Sequence, residues 1–325
     1  MSNVTVKNHW ATIHEAGTLF GLRFLWFVHR YLGRWAVSLL LLPTVVYFVA
    51  FRPLSRRASL DFLCTHHRVY PDYWQQQPGI WQVIRHYREF AETVVDKLLA
   101  WVIEIDANEF DLHTPEIIES LMSDERGQLI IGSHMGNLEY CRGFMQRYRN
   151  KVINILIYDK HSANYAQIMQ SLNPNSRLNI FQVDEFNVEV MLRLKAKIEQ
   201  GEWVFIAGDR IPLTGIERTV EVDFFERKAA LPIGPYMLAK VLACPVKLMF
   251  AYRDYNLKTS KVYFEVFPFA DKVEFARRDR QQGIERYAQR FATELEKHCA
   301  KVPYQWFNFY DFWQYENESN NREVS

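Results

Sequence analysis

The 325-residue chain lacks a charge excess of either sign, and it has few cysteines. Its formal net charge is +1, which argues against a protein that binds nucleic acid through many phosphate contacts. The four cysteines lie far apart and form no Cys-x-x-Cys pair. This usage fits a reducing compartment and predicts neither a disulfide framework nor a zinc site.

Several catalytic signatures are also missing from the sequence. There is no Gly-x-Ser-x-Gly turn, which disfavours an ordinary serine hydrolase. There is no Gly-x-Gly-x-x-Gly or Walker A segment, so neither a dinucleotide nor a nucleoside triphosphate site is indicated. The first residues hold no apolar core, so we expect no cleavable signal peptide.

The longest uncharged apolar run, residues 35–51, is short for a membrane span, which needs about 20 residues. Aromatic residues make up 15% of the chain and cluster at its two ends, which indicates a membrane surface or a lipid-filled groove. We therefore predict hydrophobic, membrane-associated helices over residues 1–57, as a hairpin or a single anchor. A hydrophobic helix packed on the globular domain is the alternative. Residues 315–325 are polar and predicted to be a disordered tail.

Residues 58–314 are predicted to form one α/β domain, because apolar and amphipathic segments alternate from residue 129 onward. Such alternation predicts a mainly parallel central sheet flanked by helices. Strands are expected near residues 129–133, 152–157, 178–183, 203–207, 245–252 and 261–267. Helices are expected near residues 80–101, 137–149, 161–172, 186–200, 233–243 and 284–299.

His134 and Glu139 lie where the first of these buried strands ends and a helix begins. Open α/β sheets place their ligands at this edge. Five residues apart on one helix, the two side chains would point about 140° apart, so they meet only if His134 lies in the turn. A carboxylate on one imidazole nitrogen fixes the tautomer and leaves the other as a base. A core histidine beside a glutamate at a helix start is the alternative.

Further residues are predicted to contact substrate: Gly136, Asn137, Arg142, Asp209, Arg210, Phe224 and Phe225. Backbone amides around residues 133–137 could bind an oxyanion. Asp209 and Arg210 end the strand at residues 203–207 and so share the edge of His134, although a structural ion pair would explain them too. Arg142 shares a helix face with Glu139.

Weaker candidates follow other segments. Lys160 and His161 come after the second strand, at the same edge of the sheet. The basic clusters at residues 56–57, 227–228 and 277–280 could meet anionic headgroups or an acidic carrier protein, or they could be ordinary solvated surface. Phe224 and Phe225 belong to an apolar segment that is either a loop lining an apolar groove or a β-excursion packed on the core.

Four segments together resemble a known family. They are the His-x4-Glu motif at residues 134–139, the strand and acid at 203–210, the Phe-Phe loop at 223–232 and the Pro/Trp segment at 303–307. Their order and spacing are similar to those of the bacterial lipid A biosynthesis acyltransferases (lauroyl and myristoyl transferases), a branch of the lysophospholipid/glycerolipid acyltransferase superfamily. The chain departs from that pattern at Arg210, where the branch usually has Gln, and at Glu226, where it usually has Gly.

The resemblance implies an enzyme that moves a fatty acyl group from an acyl carrier protein or CoA thioester to a lipid acceptor. It implies His134 as general base with Glu139, and no metal or other cofactor, since the thioester supplies the activation. It also implies the cytoplasmic face of a bacterial inner membrane. A lipid hydrolase or thioesterase that activates water with the same pair is one alternative, and an inert lipid-binding protein is another.

Overall fold

The computed structural model divides the chain into two compact units. The first comprises Met1–Leu99, Asp223–Ala230 and Thr293–Ser325, and the second comprises Ala100–Val222 and Leu231–Ala292. The residues that the structure describes are 27–28, 31–32, 34–102, 110–112, 115–137, 140, 151–157, 178–182, 188–211, 218–253 and 261–313. The predicted tail at 315–325 lies outside them.

The second unit is built on a seven-stranded sheet. Its strands are β1 (Phe110–Leu112), β2 (Gln128–Gly132), β3 (Ile153–Ile157), β4 (Leu178–Gln182), β5 (Trp203–Ala207), β8 (Val246–Arg253) and β9 (Val262–Ala270). Their order is β1-β9-β8-β2-β5-β3-β4. Only the β8–β9 pairing among those described is antiparallel. The predicted α/β fold with a mainly parallel sheet is therefore confirmed.

The other elements among the described residues are helices and one hairpin. The helices are α1 (Arg34–Phe51), α2 (Pro53–Val69), α3 (Ile80–Val102), α4 (Pro115–Ser123), α5 (Val188–Glu199), α6 (Gly234–Leu242) and α7 (Arg280–Lys301), with short 3-10 turns at Pro71–Tyr73 and Pro303–Gln305. The hairpin consists of β6 (Thr219–Phe224) and β7 (Arg227–Pro232).

Most predicted elements agree with these bounds to within a few residues. The three-residue β1 was missed because so short a segment has no readable period. For the hairpin segment the sequence left two alternatives, an apolar loop and a β-excursion packed on the core. The structure agrees with the second, since β6 buries alternate residues as a half-exposed strand does. The helices predicted at 137–149 and 161–172 fall almost entirely outside the described residues.

Strand β2 lies inside the sheet, between β5 and β8. All five of its residues are buried, as expected of a parallel strand covered on both faces. Trp203 to Ile206 of β5 are likewise buried. Continuous apolar runs thus identify the two strands whose carboxyl ends carry His134 and Asp209.

Helix α1 of the first unit is apolar on all sides. One face packs through Ala36, Val37 and Leu41 against Val95 of α3. No single helix among the described residues is long and apolar enough to cross a membrane. Helices α1 and α2 meet that criterion only as a pair, and they are bent by 94° at the break between them.

The first unit has an aromatic core. Phe224 and Phe225 at the end of β6 contact Phe62, Trp306 and Phe312, and both are fully buried. The Pro/Trp segment at 303–307 therefore contributes to this core: Trp306 is 1% exposed.

The turn between β6 and β7 places two non-glycine residues in the left-handed region. Phe225 has φ 53° and Glu226 has φ 58°, the backbone of a two-residue hairpin turn that usually holds Asn-Gly. Phe225 is held there because its N–H donates to Glu296 Oε2 at 2.6 Å and its ring is buried. Glu226 is exposed, so little packing compensates for its strained backbone.

Replacing Glu226 by glycine is expected to stabilise the protein by about 0.5–1 kcal/mol, because glycine adopts this backbone without steric cost. That gain corresponds to a rise in melting temperature of about 2 °C. Glu226→Ala is the matched control, since it removes the same carboxylate but keeps Cβ. Thermal unfolding that shows an equal gain for both variants would assign the effect to charge instead of to the backbone.

Two histidines in the first unit are buried in a neutral form. His86 lies between Ser59 Oγ (2.9 Å) and the carbonyl of Trp306 (3.0 Å). His66 accepts from Trp74 Nε1 at 2.8 Å and lies 3.2 Å from the carbonyl of Ala300. Burial lowers the pKa of each from 6.5 to about 4.

Acid is therefore expected to destabilise the protein between pH 6.5 and pH 4. In this window the unfolded chain binds protons on both histidines and the folded protein does not, so stability falls as pH falls. The unfolding free energy therefore rises with pH in this window, and His86→Gln should lower its slope against pH by up to about 1.4 kcal/mol per pH unit, the value for one proton. Denaturant unfolding at pH 4, 5, 6 and 7 measures it; an unchanged slope would mean that His86 takes up its proton in the folded state.

Candidate active site

His134 lies in the turn that follows β2, and Asp209 follows β5. The register of these neighbouring strands pairs Gly132 with Ala207, and the N–H of Gly208 donates to the carbonyl of Gly132 at 2.9 Å. His134 and Asp209 each stand two residues beyond the last paired residue. The parallel register therefore brings them opposite each other at the carboxyl edge of the sheet.

Two hydrogen bonds join the pair. The backbone N–H of His134 donates to Asp209 Oδ2 at 2.8 Å, and His134 Nδ1 lies 2.8 Å from Asp209 Oδ1. The Asp209 side chain is 2% exposed, whereas that of His134 is 32% exposed. The carboxylate is thus buried beneath an imidazole that reaches the surface.

Asp209 is held in its ionised form. Burial acts to raise the pKa of this carboxyl, but the charge and hydrogen bonds of His134, together with Arg210, outweigh burial and hold the pKa below its usual range. An ionised carboxylate only accepts hydrogen bonds, so His134 Nδ1 carries the proton that it donates to Oδ1. The other ring nitrogen, Nε2, is then the basic one.

The turn after His134 depends on a close backbone approach. Gly136 has φ 63° and bridges to Ala251 on β8, where a Cβ would collide with the carbonyl oxygen of Ala251. Asn137, which is buried, donates its N–H to the same carbonyl at 2.7 Å. These two residues therefore anchor the turn after His134 to β8, and no side chain fits at position 136.

The backbone amides of this turn are largely used within the protein. Those of His134 and Asn137 donate to Asp209 and Ala251, and that of Met135 donates to Ser133 Oγ at 3.3 Å. Ser133 is fully buried, which fits a structural hydroxyl better than a nucleophile. The predicted oxyanion site on amides 133–137 thus loses three of its five donors.

Charged and polar groups surround the pair. Arg210 is half-buried beside Asp209, and its positive charge helps to lower the pKa of that carboxyl. Tyr236 of α6 is fully buried, and its pKa is raised by burial and by the charge of Asp209. Its hydroxyl makes no hydrogen bond to any residue that the structure describes.

Sequence reasoning missed Arg253, the last residue of β8. It is 6% exposed, and its Nε donates to the hydroxyl of Tyr140 at 2.8 Å. Because β8 runs parallel to β2, Arg253 lies at the same edge of the sheet as His134. The signal that could have found it is the one that found Asp209: a charged residue directly after a buried strand.

Several predicted residues fall elsewhere. Glu139, Arg142, Lys160 and His161 lie outside the described residues. Phe224 and Phe225 belong to the first unit, where they fill its aromatic core. In the described part of the chain, no three His, Cys, Asp or Glu side chains form a metal site.

The His–Asp pair, the glycine turn and the ordered motifs can be compared with known proteins. The model of the family described as bacterial lipid A biosynthesis acyltransferase matches residues 73–314, about three quarters of the chain. The chain belongs to this family. No curated protein sequence matches it significantly.

Family membership fixes the general activity of the molecule. A bacterial lipid A biosynthesis acyltransferase transfers an acyl group from a donor to a lipid acceptor. The match extends over His134, Asp209 and the whole seven-stranded sheet. The resemblance drawn from the four sequence segments is thereby confirmed.

Proposed function

We propose that this acyltransferase moves a fatty acyl group from a carrier-protein or CoA thioester to a hydroxyl or amine of its lipid acceptor, with His134 as general base. The observation that carries the proposal is the bond between His134 Nδ1 and the ionised Asp209. It leaves the basic nitrogen on the more exposed side of the dyad, where an acceptor can approach.

The reaction balances without a cofactor. His134 Nε2 takes the proton of the acceptor hydroxyl or amine while its oxygen or nitrogen attacks the thioester carbonyl. The tetrahedral intermediate collapses, the C–S bond breaks, and the protonated imidazole returns the proton to the departing thiolate. Asp209 stabilises the imidazolium between these steps.

Other predicted residues take supporting roles. Glu139, the second acid of the motif, is proposed to act with His134 at the acceptor side, since Asp209 already occupies Nδ1. Arg210 is proposed to hold an anionic part of a substrate, because its planar fork suits phosphate or carboxylate. The backbone amides offer the oxyanion fewer donors than the sequence predicted. The positive charge of Arg210 is therefore proposed to matter more for binding negative charge at this site.

Membrane association is proposed to run through α1. Helix α1 has no charged residue after Arg34. Four of its apolar side chains are more than half exposed and offer a second apolar face to the surroundings: Trp35, Leu39, Val46 and Phe51. Exposed Arg52 and Arg57 follow it and suit an anionic lipid surface. Three described cysteines are thiols outside any disulfide, which fits a catalytic unit on the cytoplasmic face of the inner membrane: Cys64, Cys244 and Cys299.

Leu39→Glu combined with Val46→Glu is expected to lower binding to phospholipid vesicles by about tenfold or more, because two apolar side chains would be lost from the lipid contact. The matched control is Val188→Glu with Leu192→Glu, two exposed apolar residues on α5. Flotation with vesicles measures both. An equal loss in the control would speak against α1 as the membrane contact.

The function is tested with detergent-solubilised protein, labelled acyl carrier protein or acyl-CoA, and a total lipid extract from the native host. Products are resolved by mass against a sample without protein. A new acylated lipid is the expected result, and its mass identifies the acceptor. Release of free fatty acid alone would replace the proposal with the hydrolase alternative.

A further inference from the structure

A groove lined by three arginines opens at the amino-terminal end of α7 in the second unit. Its volume is about 400 Å³, and Arg218, Arg278 and Arg280 line it together with two polar side chains and two isoleucines. Arg278 and Arg280 are exposed. The sequence singled out residues 277–280 only as a basic cluster; the groove adds Arg218 from the start of β6.

The groove is electropositive. Residues 277–286 contain four arginines and two carboxylates, so Arg218 brings the local excess to three positive charges. Asp279 lies 3.4 Å from Arg278, and Glu285 accepts from Gln281. The first turn of α7 holds no acidic residue. Guanidinium groups around a concavity favour a compact anion such as phosphate, which they bind with two hydrogen bonds each.

Helix α7 connects this groove with the catalytic dyad. Ile284 and Gln281 line the groove, and they precede Phe291 by seven and ten residues, about 10 and 15 Å along the helix. Phe291 packs against Gly208, where a Cβ would lie 3.2 Å from its ring. Gly208 directly precedes Asp209. Measured along the axis of α7, the groove therefore lies about 10–15 Å from Phe291, the helix residue that packs next to the dyad.

That separation matches a chemical group that both candidate donors share. In a pantetheine thioester, about 13 bonds separate the sulfur from the phosphate, as many as in about four extended residues, so the arm spans roughly 15 Å. The length of the extended arm is therefore similar to the axial separation along α7 between the groove and the level of the dyad. A flat lipid surface fits less well, because these arginines line a concavity whose two isoleucines are not exposed.

We propose that this groove binds the phosphate group of the donor's phosphopantetheine arm. The inference rests on the proposed thioester donor and deepens it, since it assigns a site to the donor's far end. It holds for CoA and for a carrier protein alike, because both attach the arm through this phosphate.

The test compares donors with and without the phosphate. Wild type, Arg278→Gln/Arg280→Gln and a control of equal charge loss, Lys195→Gln/Lys297→Gln, are assayed with acyl-pantetheine and acyl-4′-phosphopantetheine. Both control lysines are exposed. Wild type and control should prefer the phosphorylated donor by about tenfold in kcat/KM, and the groove variant by less than about twofold. The loss should lie in KM.

Calorimetry separates this inference from the proposed function. Wild type should bind 4′-phosphopantetheine about tenfold more tightly than pantetheine, and the groove variant should bind both equally. That result would support the site even if no acyl transfer occurred. Transfer with the same donor preference in all three proteins would keep the function and overturn the site.

Two further experiments distinguish a carrier protein, CoA and a lipid as the source of the phosphate. Acyl-CoA and acyl carrier protein are compared as donors, and the one that loses more in the groove variant is the source of the phosphate. Binding to phosphatidylglycerol vesicles is measured in parallel. Weaker vesicle binding by the groove variant, with its donor preference intact, would make the groove a headgroup site and overturn the proposal.

Discussion

Replacement of His134 by alanine is expected to lower kcat for acyl transfer by about 10³–10⁴-fold, the upper range for loss of a general base. Asp209 holds the imidazole by one hydrogen bond and the backbone N–H of the same residue by another, and no other histidine of the second unit is among the described residues. The cavity left is partly open, since the side chain is 32% exposed. Stability should therefore change little.

His67→Ala is the control for the loss of an imidazole, since His67 belongs to α2 in the first unit. It should retain the wild-type rate. Single-turnover transfer from a labelled thioester measures the chemical step directly. A His134→Ala variant with more than about a tenth of wild-type kcat would remove His134 from the role of base.

Asp209→Asn is expected to lower kcat almost as much, by about 10³-fold or more, through the wrong tautomer of the imidazole. The backbone N–H of His134 can only donate, so the oxygen of the introduced amide must face it. The amide NH₂ then points at Nδ1 and forces this nitrogen to accept. The ring proton moves to Nε2, which can no longer take a proton from the acceptor.

The control for this substitution is Asp223→Asn, which removes an exposed carboxylate paired with Lys228 on the hairpin. It should keep full activity. The ring-nitrogen resonances of His134, measured by NMR, report the tautomer independently of the rate. Nδ1 protonation in Asp209→Asn, with a wild-type rate, would show that Asp209 does not govern the reaction.

The two substitutions are expected to be non-additive. If Asp209 acts only through the imidazole, Asp209→Asn should have little further effect in a protein that already carries His134→Ala. A double variant slower than His134→Ala by another factor of about 10 or more would assign Asp209 a second role, for example in stabilising the turn at Gly136.

Much of the fold could be predicted because it depends on local patterns. The apolar runs of β2 and β5 are buried in the middle of the sheet, and their shortness and β-branched residues favour buried strands. For the β6–β7 hairpin the local pattern left two alternatives open, an apolar loop and a β-excursion. Its turn holds Phe225 and Glu226 in place of Asn-Gly, and its backbone is fixed by a bond to Glu296, 71 residues away.

In the candidate site, too, the features that depend on local sequence could be predicted and those that depend on distant contacts could not. The sequence indicated that His134 and Asp209 both follow buried strands, which places each at the carboxyl edge of a parallel sheet. From the sequence, Glu139 was predicted to be the carboxylate that bonds to the imidazole, because the two residues share one motif. Sequence spacing carries information only about residues that are close in the chain, and Asp209 lies 75 residues away. Arg253 was overlooked although it follows a predicted buried strand, as Asp209 does. Its bond to Tyr140 joins residues 113 positions apart, which no local pattern shows.

The sequence by itself determined the α/β class, the edge of the sheet that carries the polar residues and the family to which the chain belongs. Only the tertiary structure decided that β2 and β5 are neighbours, although β3 and β4 lie between them in the chain, and that Gly132 pairs with Ala207. Strand order and register depend on packing between distant segments, and no local pattern encodes them. That register makes Asp209 the residue that holds His134 Nδ1.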